Sequence, residues 1–384
     1  MNKEKLSRVL LINDTTNWYH FGCTATSLAI KDEITKLGYQ LDSISITETY
    51  KITAPPSSIQ EFNDGNNFIK FSVSHSEIIK RIKQNDIIIV NGEGTLHGVR
   101  PAPLSLLYLC YVAKVFCRKH VEIINHSIYP QDNLSVDDRN IIKLYKLVYD
   151  AIDFAEIREH LSYTLARKIG IRAIESFDCS PLYIKNHYTP DGKKDPKTLL
   201  IAGSANWLNL NILSDERGNI DEFKNGLSQF SSYLNAMHRQ GYSITFLYGA
   251  KDWAAKDDRE FIAFVKPRLK FDLKIFEAKN IDQWLSCIEN AELLVSGRFH
   301  HTIAAGCLGT RFIALNSNTP KMDGLLKALG TERALRYDDP DLAEKLHKQT
   351  LESYDKSIDH ILGQKLCDKA MLNFHCLHNA ICYK

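Results

Sequence analysis

No apolar run in the 384 residues approaches the ~20 that a membrane-spanning helix needs. The longest candidate, 102–116, is broken by Ser105 and Lys114. The opening residues lead straight into the apolar stretch 9–12 and then Asn13-Asp14, too short for the core of a signal peptide. The expected location is therefore the cytoplasm. The nine cysteines include no Cys-x-x-Cys pair, and an odd count in an unexported chain argues for reduced thiols over a disulfide framework. Cys110 and Cys117, on one predicted helix, read as buried thiols. Charge of neither sign dominates: 48 basic against 46 acidic residues leave +2. That excludes a general nucleic-acid binder and leaves room for a local basic pocket. Nineteen glycines and eleven prolines are too few for a low-complexity chain. With 44% hydrophobic and 24% charged residues, the composition is that of an ordinary globular protein. At ~150 residues per domain, the length predicts two domains.

Short β-branched runs alternate with helical patterns. Strands are predicted at 9–12, 87–90, 121–125 and 154–157, with helices between them. Segment 185–197 holds two prolines, a glycine and no aliphatic residue after Ile184, which is a linker signature. The alternation then restarts, with strands at 198–202, 243–247, 273–276, 293–296 and 312–315. Two alternating halves predict two doubly wound, Rossmann-like α/β domains facing across a cleft. The expected division is 1–188, 196–345 and a C-terminal helical segment, 346–384. Ligands in such folds bind beyond the carboxyl ends of the strands, so the cleft is the expected site.

The sharpest motif is Ser296-Gly297-Arg298-Phe299-His300-His301, where a buried strand gives way at once to a helix. Unpaired N–H groups and the helix dipole attract anions there, and Arg298 and the histidines add donors. A surface arginine with two capping histidines is the other reading. Adjacent side chains on a helix diverge by ~100°, so His300 and His301 do not suit one metal ion, and no metal is expected. Asn91-Gly92-Glu93-Gly94 is the second candidate: its glycines allow close backbone approach and Glu93 can titrate. A turn with a solvated glutamate fits equally well. The loop 13–22 is long for a strand-to-helix connection and holds Asn13, Asp14, Asn17, His20 and Gly22, which serve either a ligand or the helix start. His126 ends one strand and Arg158 follows another; burial of the histidine and an ion pair of Arg158 with Glu159 or a neighbour stand as alternatives to function. Ser317-Asn318-Thr319-Pro320-Lys321 follows a strand and opens a helix, again favouring an anion.

At these residues the chain resembles the polysaccharide pyruvyl transferase family, over about residues 8–330. Asn13-Asp14-Thr15 with Gly22-Cys23, Asn91 to Thr95, Asn125-His126-Ser127, Ile157-Arg158-Glu159 with Ser162, Ser296 to His300 and Asn318 to Lys321 occur in family order. The resemblance implies a glycosyltransferase type B-like fold. It also implies transfer of pyruvate from phosphoenolpyruvate to a sugar as a ketal, with no cofactor beyond that donor. Arg298 and His300 match the family's arginine and the histidine that follows it, and Arg158 the arginine of its Arg-Glu motif. His126 falls where relatives vary, often with Gln, and His301 stands where a small residue is common.

On this basis Arg298 and the following helix start are expected to hold phosphate or carboxylate, and Arg158 the other anionic group. His300 is expected to move protons, because histidine is the side chain suited to acid–base work near neutral pH. Asp14 and Glu93 would align acceptor hydroxyls; Asn91, Gly92, Gly94, His126, Ser296, Gly297, His301, Asn318 and Lys321 complete the expected binding set. The acceptor would be a cell-surface glycan or its lipid-linked precursor, the latter bringing the enzyme to the inner membrane face. Two other functions use the same cations: a type B glycosyltransferase taking a nucleotide-activated sugar such as a CMP-ulosonic acid, and a non-catalytic glycan-binding protein.

Overall fold

A computed structural model describes residues 7–130, 139–204, 220–251, 255–317, 319–331, 333–355 and 361–382. Val9, Leu10, Leu11 and Ile12 are all fully buried, as are Ile88, Ile89 and Val90. Such unbroken apolar runs belong to parallel strands covered on both faces, since a half-exposed strand would alternate.

The first sheet holds β1 (Arg8–Asp14), β2 (Gln40–Ser45), β3 (Ile87–Glu93), β4 (His120–His126), β5 (Phe154–Ile157) and β6 (Ile174–Glu175). Its order is β2-β1-β3-β4-β5-β6, all parallel. The second sheet holds β7 (Asp195–Ser204), β8 (Ser243–Leu247), β9 (Lys274–Phe276), β10 (Ala291–Gly297) and β11 (Arg311–Ala314), in the order β11-β10-β7-β8-β9, also parallel. In each, the chain runs outward in one direction and then crosses to the other side of its first strand. The switch points lie between β1 and β3 and between β7 and β10, and there the carboxyl ends of the strands open a crevice.

The chain divides into two compact units. The first takes the residues up to Trp18, Thr26–Cys179 and those from Asp368 onward; the second takes Tyr19–Ala25 and Ser180–Cys367. The first core sets Leu10, Ile12, Ile88 and Val90 against Leu107, Tyr108 and Tyr145. The second unit has one core around Leu199, Phe230, Phe246 and Phe261, and another around Leu200, Trp284, Leu294 and Ala304 that takes in Phe21. The segment expected as a linker starts as the last turn of helix Ser180–His187, and β7 begins at Asp195. Near the C-terminus, Leu342 and Leu346 of helix Leu342–Asp355 join the second core, whereas Asn373 serves the first unit. No helix among the described residues is long and apolar enough to cross a membrane.

Candidate functional site

Three neighbouring strands, β1, β3 and β4, carry a non-glycine residue with positive φ at the last position or one before it: Asn13 (66°), Glu93 (42°) and Asn125 (52°). Each such residue carries backbone strain that only a well-determined surrounding sustains. That surrounding is a buried polar lattice. The Asn13 amide donates to the Asn91 carbonyl at 2.6 Å and the Asn125 amide to Asn91 Oδ1 at 2.8 Å. The Thr15 hydroxyl donates to Glu93 Oε1 at 2.8 Å, while Asn373 Oδ1 accepts the Asn125 backbone N–H at 2.8 Å. Asp14 takes Lys31 at 2.5 Å, the Thr16 hydroxyl at 2.6 Å and the Ser43 hydroxyl at 2.9 Å. Burial alone would raise the Asp14 pKa; bonds from Lys31 and Thr16 outweigh it and hold the carboxyl below its usual range.

Gly92 lies under His126, whose Cβ sits 2.6 Å from where a Gly92 Cβ would be. His126 is fully buried, with Nε2 2.7 Å from the Tyr149 hydroxyl. Burial, then the Arg158 charge, lowers its pKa to about 3, so it is neutral at pH 7. Gly94 accepts at its carbonyl from His97 Nδ1 at 2.7 Å. Arg158 is 2% exposed and donates to Asp178 at 2.7 Å and to the Ser127 hydroxyl at 3.2 Å. Its ion-pair partner is thus Asp178, not Glu159, which caps helix His160–Lys168 by accepting from the N–H groups of Leu161 and Ser162.

At the second switch point β10 ends in Ser296-Gly297, and Arg298 is the N-cap of helix Phe299–Leu308. The Ser296 hydroxyl accepts the Arg298 backbone N–H at 2.9 Å, and Gly297 admits Ser204 where a Cβ would stand, 1.7 Å from its Oγ. The Arg298 side chain makes no capping bond to the helix it opens. Arg298 is 6% exposed; its Nη2 donates to fully buried Asp258 at 2.6 Å, and Asp258 also accepts the Gly249 N–H at 2.7 Å. Among the described residues Arg298 Nε, which is buried, has no partner. A Cβ at Gly249 would stand 2.3 Å from that nitrogen, so only glycine lets the guanidinium lie there.

The two histidines diverge as the helical angle requires. His300 is half-buried, its Cβ and Cγ 2.2 Å from where a Gly22 Cβ would stand. His301 is buried edge-on to Trp284, whose indole N–H donates to His301 Nε2 at 3.4 Å. Burial, then Arg298, drives its pKa well down, so His301 is a neutral core histidine. Lys321 Nζ lies 5.9 Å from the Phe299 ring, and Lys251 Nζ stacks at 4.0 Å over Phe21. Asn318 lies outside the described residues; Thr319 beside it is buried, its hydroxyl without a partner among the described residues. Asp258 and Gly249 carry no local signal in the sequence, since only the fold brings them to Arg298. No group of three or more His, Cys, Asp or Glu among the described residues is placed to hold a metal ion.

A family model described as polysaccharide pyruvyl transferase matches residues 20–319, more than half of the chain and including Arg158, Arg298 and His300. The chain belongs to this family. The family is one of transferases. No curated protein matches. Among solved structures, the UDP-GlcNAc 2-epimerase of Neisseria meningitidis bound to UDP-GlcNAc is similar at a TM-score of 0.56 and 12% identity, over 97% of this chain and 100% of that one. The Methanocaldococcus jannaschii UDP-GlcNAc 2-epimerase in complex with UDP-GlcNAc and UDP gives 0.57 and 13%, over 97% and 100%. These likenesses establish the fold of this pyruvyl transferase family member: a two-domain α/β fold of glycosyltransferase type B.

Proposed function

We propose that this protein transfers pyruvate from phosphoenolpyruvate to two hydroxyls of a sugar in a cell-surface glycan or its lipid-linked precursor, forming a ketal. The supporting observation is Arg298 at the start of helix Phe299–Leu308, braced by Asp258, with its buried Nε lacking a partner among the described residues and His300 beside it. Phosphoenolpyruvate is small and carries phosphate and carboxylate on one carbon, and such a cationic turn recognises that charge. Arg298 and the first-turn N–H groups take its phosphate or carboxylate, with Lys321 as the further cation. Arg158, paired with buried Asp178, is proposed to brace the first unit's strand ends in place of holding the second anionic group. Glu93, Asn91 and Asp14 are the groups proposed to recognise acceptor hydroxyls.

The reaction adds a proton to the enol methylene, which becomes methyl, and leaves C2 open to attack. One sugar oxygen bonds to C2 and gives up its proton; the C2–O bond to phosphate breaks; the second hydroxyl oxygen closes the ring and gives up the other proton. One of the two hydroxyl protons replaces that delivered to carbon and the other leaves with phosphate, so no redox partner or metal enters. His300 delivers the proton to carbon. The test is donor consumption by the purified protein with lipid-linked or capsular oligosaccharide. Phosphate release from phosphoenolpyruvate, with pyruvate retained in an acid-labile product, is the expected result. Consumption of a CMP- or UDP-sugar in its place makes this a glycosyltransferase, and glycan binding without turnover of any donor makes it a binding protein.

A further inference from the structure

The chain places a second histidine at the Arg298 turn, from a distant part of the sequence. His20 lies between β1 and helix Phe21–Lys36, yet Tyr19–Ala25 belongs to the second unit. Two contacts fix it. The Lys251 N–H donates to the Tyr19 carbonyl at 3.0 Å, and His20 Nδ1 stands 2.6 Å from the Gly249 carbonyl. A carbonyl only accepts, so Nδ1 carries the proton and Nε2 presents its lone pair. Gly249 is also the residue whose bare Cα admits Arg298, and Gly22, two residues after His20, is the one that admits His300. One short segment thus brings His20 and seats His300 around one arginine.

We propose that His20 is the second proton-transfer residue of this site, its Nε2 accepting the proton from an acceptor hydroxyl while His300 protonates the donor's methylene. This rests on the pyruvyl-transfer reading. The sugar O–H bond breaks as oxygen bonds to C2, the proton passes to Nε2, and from there to the departing phosphate, so His20 ends neutral.

The charges facing His20 keep it neutral, as a base must be before the acceptor hydroxyl gives up its proton. It meets Arg298 and His300 from the β10 end and the helix start, and Lys321 from the next helix; Asp258, from helix Lys256–Val265, is already engaged by Arg298. Desolvation, then the Arg298 charge, pushes the empty-site pKa down to about 3. A bound anion offsets those cations and makes Nε2 basic when a proton must be taken.

The experiment uses the full chain and its His20→Asn variant, whose amide can still donate to the Gly249 carbonyl but which has no distal nitrogen. Both are titrated with phosphoenolpyruvate and their turnover is followed against pH, with melting curves as the folding control. Both are expected to bind the donor within about threefold of each other, while turnover of the variant falls by ~10²–10⁴-fold and loses the acid-side decline that the wild type shows. If His20→Asn keeps wild-type turnover and the same acid-side decline, the inference fails while the donor assignment survives. If the wild type binds no phosphoenolpyruvate, the pyruvyl-transfer reading fails and the inference with it.

Discussion

Arg158 and Arg298 stand in the same place in the sequence pattern, each directly after a buried parallel strand, and each pairs with a buried aspartate. Their surroundings separate them. Arg158 is bonded on two sides to Asp178 and Ser127, whereas Arg298 stands at a helix start with its Nε lacking a partner among the described residues. Arg158→Ala therefore leaves an uncompensated carboxylate in the interior and should cost ~3–5 kcal/mol of stability, read as a lowered melting temperature. Arg298→Lys keeps the charge but loses the planar fork, so it should leave the fold intact and weaken phosphoenolpyruvate binding at least ~10-fold by calorimetry. The same contrast separates the adjacent histidines. His300→Ala should lower kcat by ~10²–10⁴ with little change in donor affinity. His301→Ala leaves the Trp284 indole N–H without its acceptor and should act on stability, by ~1–3 kcal/mol, more than on kcat. Dead His301→Ala beside active His300→Ala would reverse the assignment. The sequence shows that two neighbouring histidines face different ways. Which of them is core depends on Trp284, seventeen positions away.

The strands that carry both switch points are legible because full burial leaves apolar runs with no alternation. β2 and β6 are not: they are sheet edges, where β2 has only Ile44 buried and β6 only two residues. The polar helices Gly65–Ser74 and Ser76–Gln84 escape for a similar reason, since a narrow buried stripe such as Ile78, Ile79 and Ile82 is a weak periodic signal. The positive φ at Asn13, Glu93 and Asn125 has no sequence mark beyond the two asparagines, and Glu93 is the least expected residue there. At Asn125 strain and bonding can be separated. Asn125→Gly relieves the left-handed backbone but loses the side-chain bonds to Asn91 and to the Cys179 N–H. Asn125→Ala loses the same bonds and keeps the strain. Both should lower the unfolding free energy read from urea curves, Ala by ~1 kcal/mol more than Gly; equal losses would show that the backbone there is not strained.

Across the whole molecule, two α/β halves follow from the alternation of elements, but their membership does not. Tyr19–Ala25 counts with the second unit and the residues from Asp368 onward with the first, through contacts that no local pattern announces. Each unit holds a neutral buried histidine: His126, with its pKa lowered to about 3, and His301, well below its ordinary value. Unfolded histidines titrate near 6.5, so the unfolded chain binds more protons below that pH. Stability is fully present above about 6.5 and declines as pH falls toward about 3, with a limiting slope of ~1.4 kcal/mol per pH unit for each such histidine. His126→Gln should flatten the acid side of a plot of melting temperature against pH, even if it lowers the temperature overall.

The strand-end network of the first unit and the cationic turn of the second differ in what they leave unsatisfied. In the first, Asn13, Asn91, Asn125 and Asp14 all have bonds to protein. In the second, Arg298 Nε and the Thr319 hydroxyl have no partner among the described residues. A small dianion should therefore register in the second unit first. At a hundredfold excess over its Kd, a ligand that binds only the native state adds ~2.7 kcal/mol. Phosphoenolpyruvate should accordingly raise the melting temperature while CMP and UDP do little. In hydrogen exchange its protection should centre on the amides of Phe299–His301 and the Gly249 turn, leaving those of Asn91–Gly94 near their free rates until an acceptor is added. The same shift and the same turnover are expected after EDTA treatment, because neither the scheme nor the residues at the turn call for a metal ion. Loss of activity on chelation, restored by one divalent ion, would show a ligand set outside the described clusters. Protection centred on Asn91–Gly94 with phosphoenolpyruvate alone would move donor binding to the first unit and leave Arg298 to another ligand.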